Sequence, residues 1–246
     1  MLVKLKIKYI QSLGQKKFRD AEGVFIAEGP KIIKELLASE NTRLINVFAV
    51  EEWMETNRSL IKNFSSDDIV KISDSELERI SFLQTPNQVL GIFAKPIFNA
   101  DFDDAKIMLL LDEIQDPGNM GTLIRTADWF GIKKIICSNN SADVFNPKVV
   151  QSSMGSIAHV KIVYEDLRSF IHGHPEVPVY ATTLHGDDIF KIEKIKNGFI
   201  LIGNESKGIC EELLSLATHQ ITIPKSGDAE SLNAAVAAAI VMAVLV

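Results

Sequence analysis

The sequence predicts an α/β protein, with a mostly parallel sheet in its C-terminal half and a smaller α/β unit ahead of it. Three observations carry this. Short apolar runs alternate with amphipathic stretches along the whole chain. The run IMLLLDEI (107–114) is too continuously apolar for a half-exposed strand and fits a buried parallel one. Polar, glycine-containing segments follow predicted strands at 112–131, 203–208 and 223–233, where parallel sheets gather their ligand-binding loops.

In the first hundred residues, VFIAE (24–28) and LINVFAV (44–50) read as strands, and PKIIKELLAS (30–39) as a helix with proline at its start. DIVKI (68–72) and VLGIFAK (89–95) read as further strands. Between them lies a helix over SDSELERISFL, opened by a capping Ser73 and an acidic first turn. The stretch at 96–105, with its asparagine and aspartates, breaks the periodicity and reads as a linker between domains at 1–95 and 106–246; a surface loop within one domain is the plainer alternative. Beyond it the pattern gives a helix from about Asn119 to Phe130 and strands at 133–138, 159–164, 177–183, 198–203 and 219–224. Helices are expected over PKVVQSS, EDLRSFIHG, GICEELLSLA and the C-terminal SLNAAVAAAIVMAVLV.

Composition narrows the class. With 246 residues, 46% hydrophobic and 24% charged, the chain can bury a core without staples. Its two cysteines, Cys137 and Cys210, are far apart and outside any CxxC, which argues against a disulfide framework or zinc ribbon and for a reducing, cytoplasmic compartment. His172 and His174 have no acidic or cysteine partner close in sequence, so no metal is expected. No secretory leader is expected at the N-terminus, and the C-terminal apolar run is shorter than the roughly 20 residues that span a bilayer. A net charge of −6 excludes a protein that coats nucleic acid by charge alone. Lys4, Lys6, Lys8, Lys16, Lys17, Arg19, Lys31 and Lys34 nevertheless cluster at the start. They read either as a phosphate-facing patch or as a solvated helix face.

The three polar loops carry the candidate chemistry. In the first, Pro117 and Gly118 force a turn and Asn119 can cap the next helix. Leu123, Ile124, Ala127 and Phe130 form its apolar face, with Arg125 among them. In the second, GNESKG (203–208) is not a Walker A loop, because Ile209 and not lysine follows its second glycine. No GxG occurs anywhere to mark a dinucleotide fold. In the third, Ser231 can cap the last helix, and Asn233 ahead of a long apolar helix is unusual unless its amide finds partners.

The runs LLLDEIQDPGNMGTLIRTADWFG, FILIGNESKGI and ITIPKSGDAESLNAAVAAAI resemble, in order, the three signature motifs of the SpoU (TrmH) family of RNA ribose methyltransferases, over Lys106 to Val246. IQSLGQKKFRDAEGVFIAEGPKIIKELL is similar to the start of an L30e-like substrate-binding domain. The resemblance implies an L30e-like RNA-binding domain (1–95) and a SPOUT-type α/β methyltransferase domain (106–246) with a deep trefoil knot. It also implies a homodimer whose active site is completed across subunits, and S-adenosylmethionine as methyl donor. The substrate is then a ribose 2′-hydroxyl of RNA, with rRNA ahead of tRNA. By the same resemblance Arg125 matches the catalytic arginine, Asn119 its first-motif partner, Glu205 the second-motif glutamate, and Ser231 and Asn233 the polar pair of the third. Gly203, Ile223 and Leu232 match cofactor contacts, and Thr182 and Leu184 line the adenosine side. The rival readings are a non-catalytic RNA-binding protein that keeps the fold and a different nucleotide-using enzyme.

Overall fold

The computed structural model describes residues 2–65, 67–98 and 106–246, so most of the linker expected at 96–105 lies outside the described residues. Two compact units emerge, one of residues 1–97 and 143–159, the other of 98–142 and 160–246.

The first unit runs α1 (Lys4–Ser12), α2 (Lys16–Glu22), β1 (Val24–Glu28), α3 (Pro30–Ala38), β2 (Arg43–Ala49), α4 (Glu51–Thr56), α5 (Arg58–Ile61), β3 (Ile69–Lys71), α6 (Asp74–Ile80) and β4 (Val89–Ala94). Its sheet has the order β1-β4-β2-β3, with β4 antiparallel to both neighbours and β3 parallel to β2. Fully buried Phe25, Phe48, Phe93, Ile33 and Trp53 form its core. Ser73 caps α6 in a reciprocal capping box with Glu76. The segment 143–159, drawn from between two strands of the other unit, belongs here by its packing. Phe145 lies 5.4 Å from Phe25, and Asn41 Nδ2 donates to the Ala158 carbonyl at 2.9 Å. Arg19, grouped with the exposed basic residues on sequence grounds, is 1% exposed; its guanidinium donates to the Leu13 carbonyl at 2.7 Å and pairs with Asp143. A buried, paired arginine cannot serve a phosphate, so the accessible positive charge of the N-terminal cluster is lysine.

Glu28 is buried at the end of β1 and accepts from Ser81 Oγ (2.5 Å) and the Phe82 N–H (2.8 Å), which fixes the loop after α6. Burial raises its carboxyl above the ordinary range, against the pull of those two hydrogen bonds. The folded chain then binds this proton more tightly than the unfolded one. Stability from this site therefore falls as pH rises from the ordinary glutamate value, about 4.3, through the folded pKa. Glu28→Gln keeps an acceptor and abolishes the titration. The melting-temperature difference, parent minus variant, should move in the parent's favour between pH 7 and pH 5; a flat difference would refute the burial argument.

The second unit contains β5 (Ile107–Leu111), α7 (Pro117–Trp129), β6 (Lys134–Cys137), β7 (Lys161–Tyr164), α9 (Leu167–His172), β8 (Val179–Asp188), β9 (Gly198–Ile202), α10 (Glu211–Leu214), β10 (His219–Thr222) and α11 (Ala234–Leu245); α8 (Pro147–Ser153) belongs to the first. Its sheet has the order β10-β8-β9-β5-β6-β7 and every pairing in it is parallel. The continuous apolar run of β5 is explained by its place between β9 and β6, with Leu109, Leu110 and Leu111 fully buried. From β5 the chain winds outward through β6 and β7, then returns to β8, β9 and β10 on the other side. That reversal puts a switch point between β5 and β9, and the crevice beyond their carboxyl ends is where such sheets take ligands.

Candidate functional site

The loops leaving β5 and β9 and the approach to α11 meet in one hydrogen-bonded chain. Asn119 Nδ2 donates to Glu205 Oε1 at 2.5 Å, and Asn233 Nδ2 donates to Asn119 Oδ1 at 2.9 Å. All three predicted polar segments thus come together at the switch point.

Two details differ from the sequence reading. Asn119 does not cap α7. The helix begins at Pro117, and Asp116 caps it by accepting the Asn119 N–H at 2.8 Å. Proline at the first helical position moves the start two residues earlier, since its missing N–H costs nothing there. The Asn119 amide is thereby left for Glu205 and Asn233. Ser231 does not cap α11 either. Asn233 does, its Oδ1 accepting from the Ala235 (2.9 Å) and Val236 (3.2 Å) N–H groups. One asparagine side chain therefore closes the helix with its oxygen and reaches Asn119 with its nitrogen. Ser231 is exposed in the loop ahead.

Arg125 lies on the outer face of α7, exposed, while Leu123, Ile124 and Ala127 are fully buried. It lies six positions on from Asn119, about 9 Å along the axis at about 1.5 Å per residue. In the single chain no hydrogen bond among the described residues joins it to either asparagine.

The loop 203–208 is folded tightly. A β-carbon at Gly203 would run into the main chain of Gly208 and Ile209. The Asn204 and Gly208 main chains exchange hydrogen bonds at 3.0 and 2.9 Å, and Asn204 Oδ1 accepts from the Ser206 and Lys207 N–H groups. Asp112, buried at the end of β5, accepts the Cys210 N–H at 3.1 Å; burial raises its carboxyl. Asp112 and Asn204 were not singled out from sequence. Asn204 carries a legible signal, an asparagine four residues before a glycine, which suits a side-chain-closed turn.

Thr182 and Leu184 lie where β8 leaves its neighbours. β10 pairs with β8 at Tyr180 and Ala181, and next at Asp187 and Asp188. The strand between bows out, with Thr182 Oγ1 donating to the Leu201 carbonyl (3.1 Å) and Thr222 Oγ1 to the Leu184 carbonyl (3.3 Å). Leu184 and Leu232 are 67% and 46% exposed. Ile223 follows β10, and residues 225–232 make no hydrogen bond among the described residues. An irregular segment of uncommitted main-chain donors and acceptors, flanked by Leu184 and Leu232, fits a small ligand that is part polar and part apolar. Among the described residues no group of three His, Cys, Asp or Glu is placed to hold a metal, and no helix is long and apolar enough to cross a membrane.

Comparisons with known proteins place the chain among RNA methyltransferases. Residues 106–243 match the SpoU rRNA Methylase family and residues 4–91 the MRM3-like substrate binding domain. The 23S rRNA (guanosine(2553)-2'-O)-methyltransferase of Bacillus subtilis is 31% identical over 96% of this chain and 94% of its own. The 23S rRNA (uridine(2479)-2'-O)-methyltransferase of Streptomyces viridochromogenes is 29% identical over 94% of this chain and 85% of its own. Among solved structures, an AdoMet-bound rRNA methyltransferase from Sinorhizobium meliloti superposes with a TM-score of 0.83 at 30% identity, covering 98% of this chain and 94% of that one.

Proposed function

This chain belongs to the SpoU rRNA methylase family, and from that premise we propose that it transfers a methyl group from S-adenosylmethionine to a ribose 2′-hydroxyl of ribosomal RNA. The observation that carries the reading is the Glu205–Asn119–Asn233 chain, which draws three loops to one switch point beside the uncommitted 225–232 segment. In this reading residues 1–95 hold the RNA, 96–105 connect, and 106–246 carry the chemistry.

S-adenosylmethionine supplies an electrophilic methyl on a sulfonium. Gly203, Ile223 and Leu232 would hold it largely through main-chain groups, with Thr182 and Leu184 lining the adenosine side. Glu205, Asn119 and Asn233 keep those loops in register, and the exposed Ser231 hydroxyl is left to meet the substrate. Arg125 orients the attacking hydroxyl and a neighbouring phosphate with its planar fork of N–H donors. A free guanidinium, with a pKa above about 12, is a poor base, so Arg125 orients the hydroxyl, and proton removal is late or solvent-assisted. Holding the attack geometry is itself worth on the order of 7–11 kcal/mol.

Association into a homodimer is part of the proposal. Helix α11 is apolar throughout, yet Val236 is 49% exposed, Ala243 is exposed and Ile240 is only partly covered, one stripe at helical spacing. Trp129, 84% exposed, shares the outer face of α7 with Arg125, and α7 packs on α11. A partner covering Trp129 therefore also reaches Arg125. The trefoil knot that the family resemblance implies is part of the proposal as well. The exposed, unpaired Cys210 suits a reducing cytoplasm.

The test is a map of 2′-O-methyl sites in ribosomal and transfer RNA from cells with and without the gene, joined to light scattering and a calorimetric titration of the purified chain with S-adenosylmethionine. The expected result is loss of one ribosomal 2′-O-methyl group, twice the mass of a single chain, and saturable binding of the methyl donor. Identical methylation maps, or a folded chain that ignores the methyl donor, would return the protein to a non-catalytic RNA-binding role.

A further inference from the structure

Glu113 stands two residues beyond β5 with a φ of +52°, a left-handed backbone that costs any residue with a β-carbon and suits glycine or asparagine better. Every polar group it has is nevertheless used. Its N–H donates to Ser138 Oγ at 2.8 Å, beyond β6, and its carbonyl accepts Asn204 Nδ2 at 2.8 Å, beyond β9. Its carboxylate accepts Asn140 Nδ2 at 3.0 Å and pairs with Lys207 Nζ at 3.5 Å. One residue thus ties together the carboxyl ends of three neighbouring strands, β9, β5 and β6.

We propose that Glu113 is a positioning residue that sets the 203–208 loop in the form that receives the methyl donor. The inference rests on the reading that this loop lies against S-adenosylmethionine. Three features support it. Both anchors on the loop, Asn204 and Lys207, flank Glu205, the residue that joins the asparagine chain. Strain is retained where the surrounding contacts over-determine it, and a side chain bonded to two other loops does that. The carboxylate also gives the Lys207 ammonium a partner other than Glu205, two residues away, whose own carboxylate is committed to Asn119. Asn140 and Lys207 together hold the Glu113 carboxyl below its ordinary range, consistent with an anion fixed in place.

Replacement by glycine separates function from stability, because it removes both the backbone strain and the carboxylate. Glu113→Gly should melt within about 3 °C of the parent and bind S-adenosylmethionine about tenfold more weakly by calorimetry, the size expected within one bonded network. Lys207→Met should cost about threefold, since the ammonium is 77% exposed and screened. The double variant should bind no more weakly than Glu113→Gly alone, because both changes break one device. Affinity of Glu113→Gly within twofold of the parent would overturn the proposal. So would a double variant showing the product of the two losses, or affinity lost only in step with the melting temperature. A parent chain that fails to bind the methyl donor overturns the underlying reading instead, and shows this before any substitution is made.

Discussion

Arg125→Lys should leave the chain folded and lower ribose methylation about 100- to 1,000-fold, the loss that follows removal of one donor aimed at the developing transition state. The side chain is exposed on α7, where nothing in the core depends on it, and such surface changes usually cost less than about 0.5 kcal/mol. Lysine keeps the positive charge but replaces a planar fork with a single point, so it can pair with a phosphate without also fixing the hydroxyl. Binding of S-adenosylmethionine should persist, which confines the loss to the chemical step. Single-turnover methylation of an RNA fragment carrying the mapped site measures it. A rate within threefold of the parent, at an unchanged melting temperature, would remove Arg125 from its assigned role.

Gly203→Ala should destabilise the protein and abolish binding of the methyl donor together. The added β-carbon meets main-chain atoms of Gly208 and Ile209, which cannot swing aside as the end of a side chain can. Overpacking of this kind costs about 1–3 kcal/mol, and in a chain of this size each kcal/mol lowers the melting temperature by about 2–4 °C. Relief requires the 203–208 loop to open, which pulls Glu205 from Asn119 and breaks the three-loop junction. Differential scanning calorimetry and a titration with S-adenosylmethionine on one preparation test both halves. A variant that melts with the parent and binds as tightly would show that the loop is not held where the close pass implies.

Which ribose is methylated is not legible at the level of the shared motifs. The Bacillus subtilis and Streptomyces viridochromogenes relatives, 31% and 29% identical to this chain, are named for a guanosine and a uridine at different positions. RNA is recognised by shape and splayed bases that surface side chains read, which short loop motifs do not encode.

Sequence alone determined what depends on periodicity and local chemistry. The buried parallel strand at β5, the capped helix after Ser73, and the polar loops behind strand ends follow from patterns a few residues long, and those patterns are satisfied where they occur. The tertiary structure decided which atoms of those loops are free to meet. Asp116 takes the cap of α7 and releases the Asn119 amide, Asn233 divides its amide between α11 and Asn119, and Glu113 accepts a left-handed backbone to bind two loops at once. None of this is written in spacing, because a hydrogen bond between residues 86 and 114 positions apart exists only once the parallel sheet has stacked their strand ends at one edge.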